Sequence, residues 1–129
     1  MLSNFSQTRN VHARHRHRQS VRLGLAFGPE VGYRLAVGGV ETFVLDLGHG
    51  QPVVCLHGVP ASSFLYRKLV VELAARGLRG IAFDLPGLGL AERPAAFDYT
   101  WTGLGRFASN AVDALDLDRA RLVAAQPER

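Results

Sequence analysis

Cysteine is nearly absent from this sequence: Cys55 stands alone among 129 residues. No disulfide can form within the chain, and because Cys55 lies inside an apolar run, a buried structural thiol is the expected role. That usage is compatible with a reducing compartment, and a cytoplasmic location is expected. Long apolar runs are missing too. None approaches the roughly 18 residues that a membrane-crossing helix requires, so no membrane insertion is expected. The N-terminal region has no apolar core of signal-peptide length, although its arginine-rich, acid-free character overlaps with that of organelle transit peptides. Acidic residues are absent from positions 1–22, which hold Arg9, Arg14, Arg16, Arg18 and Arg22. The formal net charge is +4, so taking away those five arginines leaves −1 for the remainder. A near-neutral domain behind a basic tail follows, and the pI near 10 does not argue that the folded part binds nucleic acid.

Residues 1–28 carry almost no periodic apolar pattern and read as a disordered basic tail, with residues 29–129 as the domain. His12, His15 and His17 are interleaved with arginines, whose charge would repel a divalent ion, so neither a metal nor a cofactor is expected. A weak phosphate-binding arm is another reading, with Phe5 as an aromatic to stack on bases. A purely solvated tail is the simplest.

From Gly32 the texture changes. Tyr33 to Val37 and Val40 to Leu47 are strand-like runs joined by Gly38-Gly39, a dipeptide that tolerates the positive φ angles of a tight hairpin turn. Pro52 then leads into Val53 to Leu56, a short apolar run of the kind buried on both faces of a sheet. After it, Ser62 or Ser63 can cap a helix running through Arg76, with Leu65, Leu69 and Leu73 stacked at four-residue spacing and Gly77 as the stop. Ile81 to Phe83 reads as a strand, ended by the proline- and glycine-rich loop from Asp84. A second helix is expected from about Thr102 to Leu115, where Leu104, Phe107, Ala108, Ala111, Val112 and Leu115 recur at intervals of three and four. Leu122 to Ala125 begins another strand. The fold class is α/β: an N-terminal hairpin followed by a parallel βαβαβ sheet. No internal repeat is visible.

His57-Gly58-Val59-Pro60, with Ser62 to Arg67 after it and then Asp84-Leu85-Pro86-Gly87-Leu88-Gly89, resembles the N-terminal half of an α/β-hydrolase, in the branch of haloalkane dehalogenases and epoxide hydrolases. The resemblance covers about Tyr33 to Val123. It implies that Val59 supplies a backbone N–H to an oxyanion hole, a donor that would stabilise negative charge developing on a substrate oxygen. His57, Gly58, Pro60, Asp84, Gly87 and Gly89 are then structural motif residues, and His57 is a buried turn residue rather than the catalytic base. Dehalogenases of this branch tend to carry Asn where Val59 stands, using its amide to hold the departing halide, and valine has no such donor. The second motif usually ends in a small hydroxyl residue where this chain has Ala91.

The same resemblance implies a nucleophile on a strained strand-to-helix turn, followed by an acid and a histidine base. None of the three is found: there is no Gly-x-Ser-x-Gly, Ser62 and Ser63 fit helix caps, and Pro86 occupies a position where a nucleophile turn around Asp84 would demand a small residue. In such proteins the strand from Leu122 would run into that turn, whereas here it meets Gln126-Pro127-Glu128-Arg129. The expectation is a partial α/β-hydrolase fold truncated before the nucleophile elbow, with an exposed sheet edge, marginal stability and a tendency to self-associate. Two functions compete. One is a hydrolase by descent, acting on ester, epoxide or carbon–halogen bonds of a small-molecule substrate but inactive as this chain alone. The other is a non-catalytic module that pairs with another chain through its sheet edge, or binds an acidic partner through its Arg/His tail.

Overall fold

A computed structural model describes residues 20–21 and 32–124. Their order is β1 (Ser20–Val21), β2 (Gly32–Val37), β3 (Val40–Leu47), β4 (Pro52–Leu56), a 3-10 turn (Ser63–Tyr66), α1 (Arg67–Ala75), β5 (Arg79–Phe83), α2 (Trp101–Ala114) and β6 (Arg121–Ala124). The strands form one six-stranded sheet in the order β1-β2-β3-β5-β4-β6. Ser20 and Val21, inside the segment expected to be a tail, pair antiparallel with Tyr33 and Gly32. The rest of residues 1–28, including Arg9, His12, His15 and His17, lies outside the described residues.

The hairpin forms where its glycines place it. Val37 faces Val40 across a two-residue turn, and Gly38 and Gly39 hold φ of +55° and +81°, both in the left-handed region that such a turn demands. β3 then pairs antiparallel with β5, and β4 pairs in parallel with β5 on one side and β6 on the other. The chain therefore leaves β4 toward one neighbour and returns past it to the other. Right-handed crossovers in opposite directions put their helices on opposite faces, and β4 becomes the strand where the direction switches.

Side-chain alternation confirms the two faces. Tyr33, Val37, Val40, Val44, Val54, Ile81 and Phe83 pack with Leu104, Phe107, Ala111 and Leu115 from α2 and its end. Phe43, Leu45, Val53, Cys55 and Ala82 pack with Tyr66 and Val70 on the α1 side. Period-two alternation along each strand produces this division, so one strand serves both cores. Cys55 is fully enclosed, and burial pushes its thiol up to about 11, which keeps it protonated and inert at neutral pH.

Helix ends follow local chemistry. The Ser62 hydroxyl accepts the Phe64 N–H at 3.3 Å and opens the 3-10 turn. At the other end Gly77 adopts φ +79°, and Leu78 N–H reaches the Leu73 carbonyl at 3.0 Å while Gly77 N–H reaches that of Ala74 at 3.2 Å, a complete Schellman stop. The Leu65-Leu69-Leu73 stripe, however, is not the buried face of this segment. Leu65 and Leu69 are 54% and 36% exposed, whereas Ser63, Tyr66 and Val70 are buried and Leu73 packs beside them. The segment begins as a 3-10 turn with about three residues per turn. That tighter start advances the phase, and the inward positions become 63, 66, 70 and 73 instead of 65, 69 and 73.

Candidate active site

The site grows from the C-terminal end of β4, at the strand where the sheet's connection reverses. The Leu56 carbonyl, the last of the strand, accepts the Tyr66 hydroxyl at 2.9 Å, which ties the strand end to the 3-10 turn. His57 follows and is buried. Its Nε2 accepts the Leu85 N–H at 3.0 Å, so that nitrogen carries no proton. The proton therefore sits on Nδ1, which donates to the Gly58 carbonyl at 2.9 Å. A ring fixed in this tautomer bridges the turn after β4 and the loop after β5, and it has no lone pair left to take a substrate's proton.

Beyond it the Val59–Pro60 peptide bond is cis, and Ala61 N–H closes the turn onto the Gly58 carbonyl at 2.8 Å. The Val59 side chain is half exposed. Its N–H makes no hydrogen bond to any described residue. The turn that carries this donor is held by the two hydrogen bonds to the Gly58 carbonyl and by the His57 ring.

The support's second part is Asp84, which is 1% exposed. Oδ1 accepts the Ser63 N–H at 2.7 Å and Oδ2 accepts the Leu90 N–H at 2.9 Å. Its backbone is held as well: the N–H donates to the Phe43 carbonyl at 3.1 Å, and the carbonyl accepts the Thr42 hydroxyl at 2.5 Å. Oδ1 lies 4.0 Å from His57 Nε2, but that nitrogen already receives the Leu85 N–H, so the two rings of contacts touch without forming an ion pair. With both carboxylate oxygens occupied and the group enclosed, Asp84 offers nothing to an incoming substrate.

Close approach explains the glycine at the end of the second motif. A Cβ on Gly89 would stand 2.5 Å from the Asp84 Cγ, and its φ is +54°. Gly87, at φ +81°, donates its N–H to the Glu92 carbonyl at 2.9 Å. Glu92 in turn clips the loop to β3: its N–H reaches the Glu41 carbonyl at 2.9 Å, and its Oε1 accepts the Glu41 N–H at 2.7 Å. Ala91 is buried in this loop.

The motif residues His57, Gly58, Val59, Pro60, Asp84, Gly87 and Gly89 thus meet at one end of the sheet. Sequence reasoning missed Tyr66, Thr42 and the Leu85 N–H. A tyrosine in an apolar setting announces that its hydroxyl needs a partner, yet nothing local says that the partner is Leu56. Among the described residues, no three His, Cys, Asp or Glu side chains are grouped so as to hold a metal ion, and no helix is long and apolar enough to cross a membrane.

Residues 51–125 match the family model described as alpha/beta hydrolase fold. A haloalkane dehalogenase of Psychrobacter cryohalolentis is 39% identical over 93 residues, covering 61% of this chain and 31% of that protein. One from Agrobacterium fabrum is 36% identical over 110 residues, covering 84% of this chain and 36% of its own length. The crystal structure of an epoxide hydrolase from Vigna radiata superposes with a TM-score of 0.69 at 31% identity, covering 74% of this chain and 32% of that one. The chain therefore spans about a third of the length of the relatives it matches.

Proposed function

The chain belongs to the α/β hydrolase fold family, and from that premise we propose that residues 53–60 form half of an oxyanion-stabilising site. The reaction class is hydrolysis of an ester, epoxide or carbon–halogen bond in a small-molecule substrate, and the Val59 N–H is the donor. One observation supports the reading: this N–H has no partner among the described residues, while the Gly58 carbonyl before it accepts from both His57 Nδ1 and the Ala61 N–H and His57 Nε2 accepts the Leu85 N–H. A donor fixed in place before the reaction stabilises charge as it develops without paying for reorganisation. His57, Gly58, Pro60, Asp84, Gly87 and Gly89 act as positioning residues, since they fix the turn and the loop against it and do not reach the substrate. The Val59 side chain has no group to hold a departing halide, which favours carbonyl and epoxide oxygen over halide as the stabilised atom.

A single donor is not a catalyst. The sequence contains no Gly-x-Ser-x-Gly, and Asp84 is enclosed by its own hydrogen bonds. Supplied by itself, this chain is expected to hydrolyse p-nitrophenyl acetate no faster than buffer does. Hydrolysis above background that one substitution in the chain abolishes would overturn this expectation.

A second reading rests on β6. All four of its residues are exposed, with Leu122 65% and Val123 38% accessible, and among the described residues only one of its edges is paired, to β4. Such an edge is a template for another strand, so the chain could serve as a non-catalytic module that pairs with a second chain there. The Arg/His tail offers a different route, to an acidic partner. Leu122→Lys is expected to lower the weight-average mass in sedimentation equilibrium if the edge mediates assembly, and removal of residues 1–19, which spares β1, is expected to leave that mass unchanged. The reverse pattern would assign association to the tail.

A further inference from the structure

On the far side of β5 from Val59, a cleft of about 230 Å³ opens between the tip of the β2–β3 hairpin, residues 96–98 and α2. Its floor is apolar. Val37, Val40 and Phe107 are buried there, and Phe97 meets Phe107 edge to face at 6.1 Å between ring centres. Its rim carries Asp98, Arg106 and Asn110.

The rim is anchored. Thr100 caps α2 by accepting the Gly103 N–H at 3.2 Å, and the Thr100 N–H donates to Asp98 Oδ1 at 3.0 Å. Hydrogen bonds from the Thr100 hydroxyl and N–H, with a smaller pull from the Arg106 charge, hold the Asp98 carboxyl below the usual carboxylate range. It is an anion at neutral pH. Arg106 feels that charge but forms no ion pair or hydrogen bond with any described residue. Two opposite charges thus border one apolar floor without touching.

We propose that this cleft binds a small zwitterion with an apolar body, a free amino acid such as phenylalanine or leucine, its ammonium on Asp98 and its carboxylate on Arg106 and Asn110. The apolar side chain lies on Phe97, Phe107, Val37 and Val40. Charge complementarity selects the class: a ligand with one charge leaves the other rim charge unmatched, and a neutral one leaves both. Size selects within it, because the cleft falls below the roughly 300 Å³ at which pockets begin to take drug-sized ligands. This site is independent of the hydrolase reading and survives its failure.

Equilibrium dialysis of the full chain against labelled L-phenylalanine tests the proposal and reads bound ligand whatever the state of assembly. Competition by phenethylamine, which lacks the carboxylate, and by 3-phenylpropionate, which lacks the ammonium, is each expected to be about fivefold weaker than by phenylalanine, the worth of one solvent-exposed ion pair. Arg106→Gln is expected to bring phenylalanine down to the level of phenethylamine while leaving phenethylamine unchanged. Arg106 is exposed and bonds to nothing described, so this variant keeps the fold and decides the matter even if Asp98→Asn disturbs the helix cap. Equal competition by the three compounds, no retained phenylalanine, or an unchanged affinity in Arg106→Gln would each overturn the proposal.

Discussion

Replacing Asp46 by alanine is expected to lower the unfolding free energy by about 3–5 kcal/mol, the cost of removing one partner from a buried ion pair. Asp46 lies on β3 and receives two parallel hydrogen bonds from Arg79 on β5, Nε to Oδ1 at 2.8 Å and Nη2 to Oδ2 at 2.7 Å. The Tyr33 hydroxyl from β2 donates to Oδ2 at 2.7 Å. The two side chains are only 6% and 12% exposed. Burial pulls the guanidinium of Arg79 toward losing its proton, but its hydrogen bonds and charge attraction to Asp46 outweigh that and raise its pKa above the ordinary value. The pair is therefore fully charged, and truncating either member leaves the other's charge in a site with little access to water. Arg79→Ala should cost as much as Asp46→Ala, and Tyr33→Phe only about 1 kcal/mol, the net worth of one hydrogen bond. Urea unfolding followed by circular dichroism measures all three. With total stabilities of about 5–15 kcal/mol usual for a domain, the first two should unfold at much lower urea. A loss under about 1 kcal/mol in Asp46→Ala would show that water reaches the cluster.

The second large effect is expected at Asp84. Asp84→Ala removes the acceptor for the Ser63 and Leu90 N–H groups, and leaving such donors without a partner costs about 1–3 kcal/mol each. A total loss of about 2–6 kcal/mol follows, concentrated in the support beneath Val59. Asp84→Asn is expected to fall between, because an amide retains one acceptor oxygen but turns a donor toward the other N–H. Amide hydrogen exchange distinguishes this from a general weakening: exchange at Ser63 and Leu90 should accelerate well beyond that of β2 and β3. Uniform acceleration across the sheet would refute the local role. Gly89→Ala is expected to resemble Asp84→Ala, since its Cβ would press into the same carboxylate from a backbone conformation that favours glycine.

Both predictions concern groups whose identity the sequence displays and whose partners it hides. Asp46 and Arg79 are 33 positions apart, and no local pattern pairs them. They meet because β3 and β5 lie side by side in antiparallel register, with Asp46 opposite Ile81, so that alternation turns Asp46 and Arg79 to the same face. The helical stripe on α1 shows the same limit from the other direction. Spacing alone put Leu65, Leu69 and Leu73 inward, but the 3-10 turn at its start fixed a different face against the sheet.

What residues 32–124 determined by themselves is the succession of elements and the points where they stop. Gly38-Gly39 turned the hairpin, Ser62 opened a helical segment and Gly77 closed it, and the short apolar runs at β4 and β5 marked strands, that of β4 as one covered on both faces. Those outcomes depend on backbone preferences and on hydrogen bonds between residues a few positions apart, which a linear pattern records. The family motifs around Val59 and Asp84 were legible for the same reason, because each is a contiguous turn. Only the tertiary structure decided that His57 would spend Nε2 on Leu85, that Asp84 would clamp Ser63 and Leu90, and that the Val59 N–H would be left without a partner among the described residues. Those contacts join separate loops at the ends of neighbouring strands, and their geometry exists only once the strands have taken their order and register.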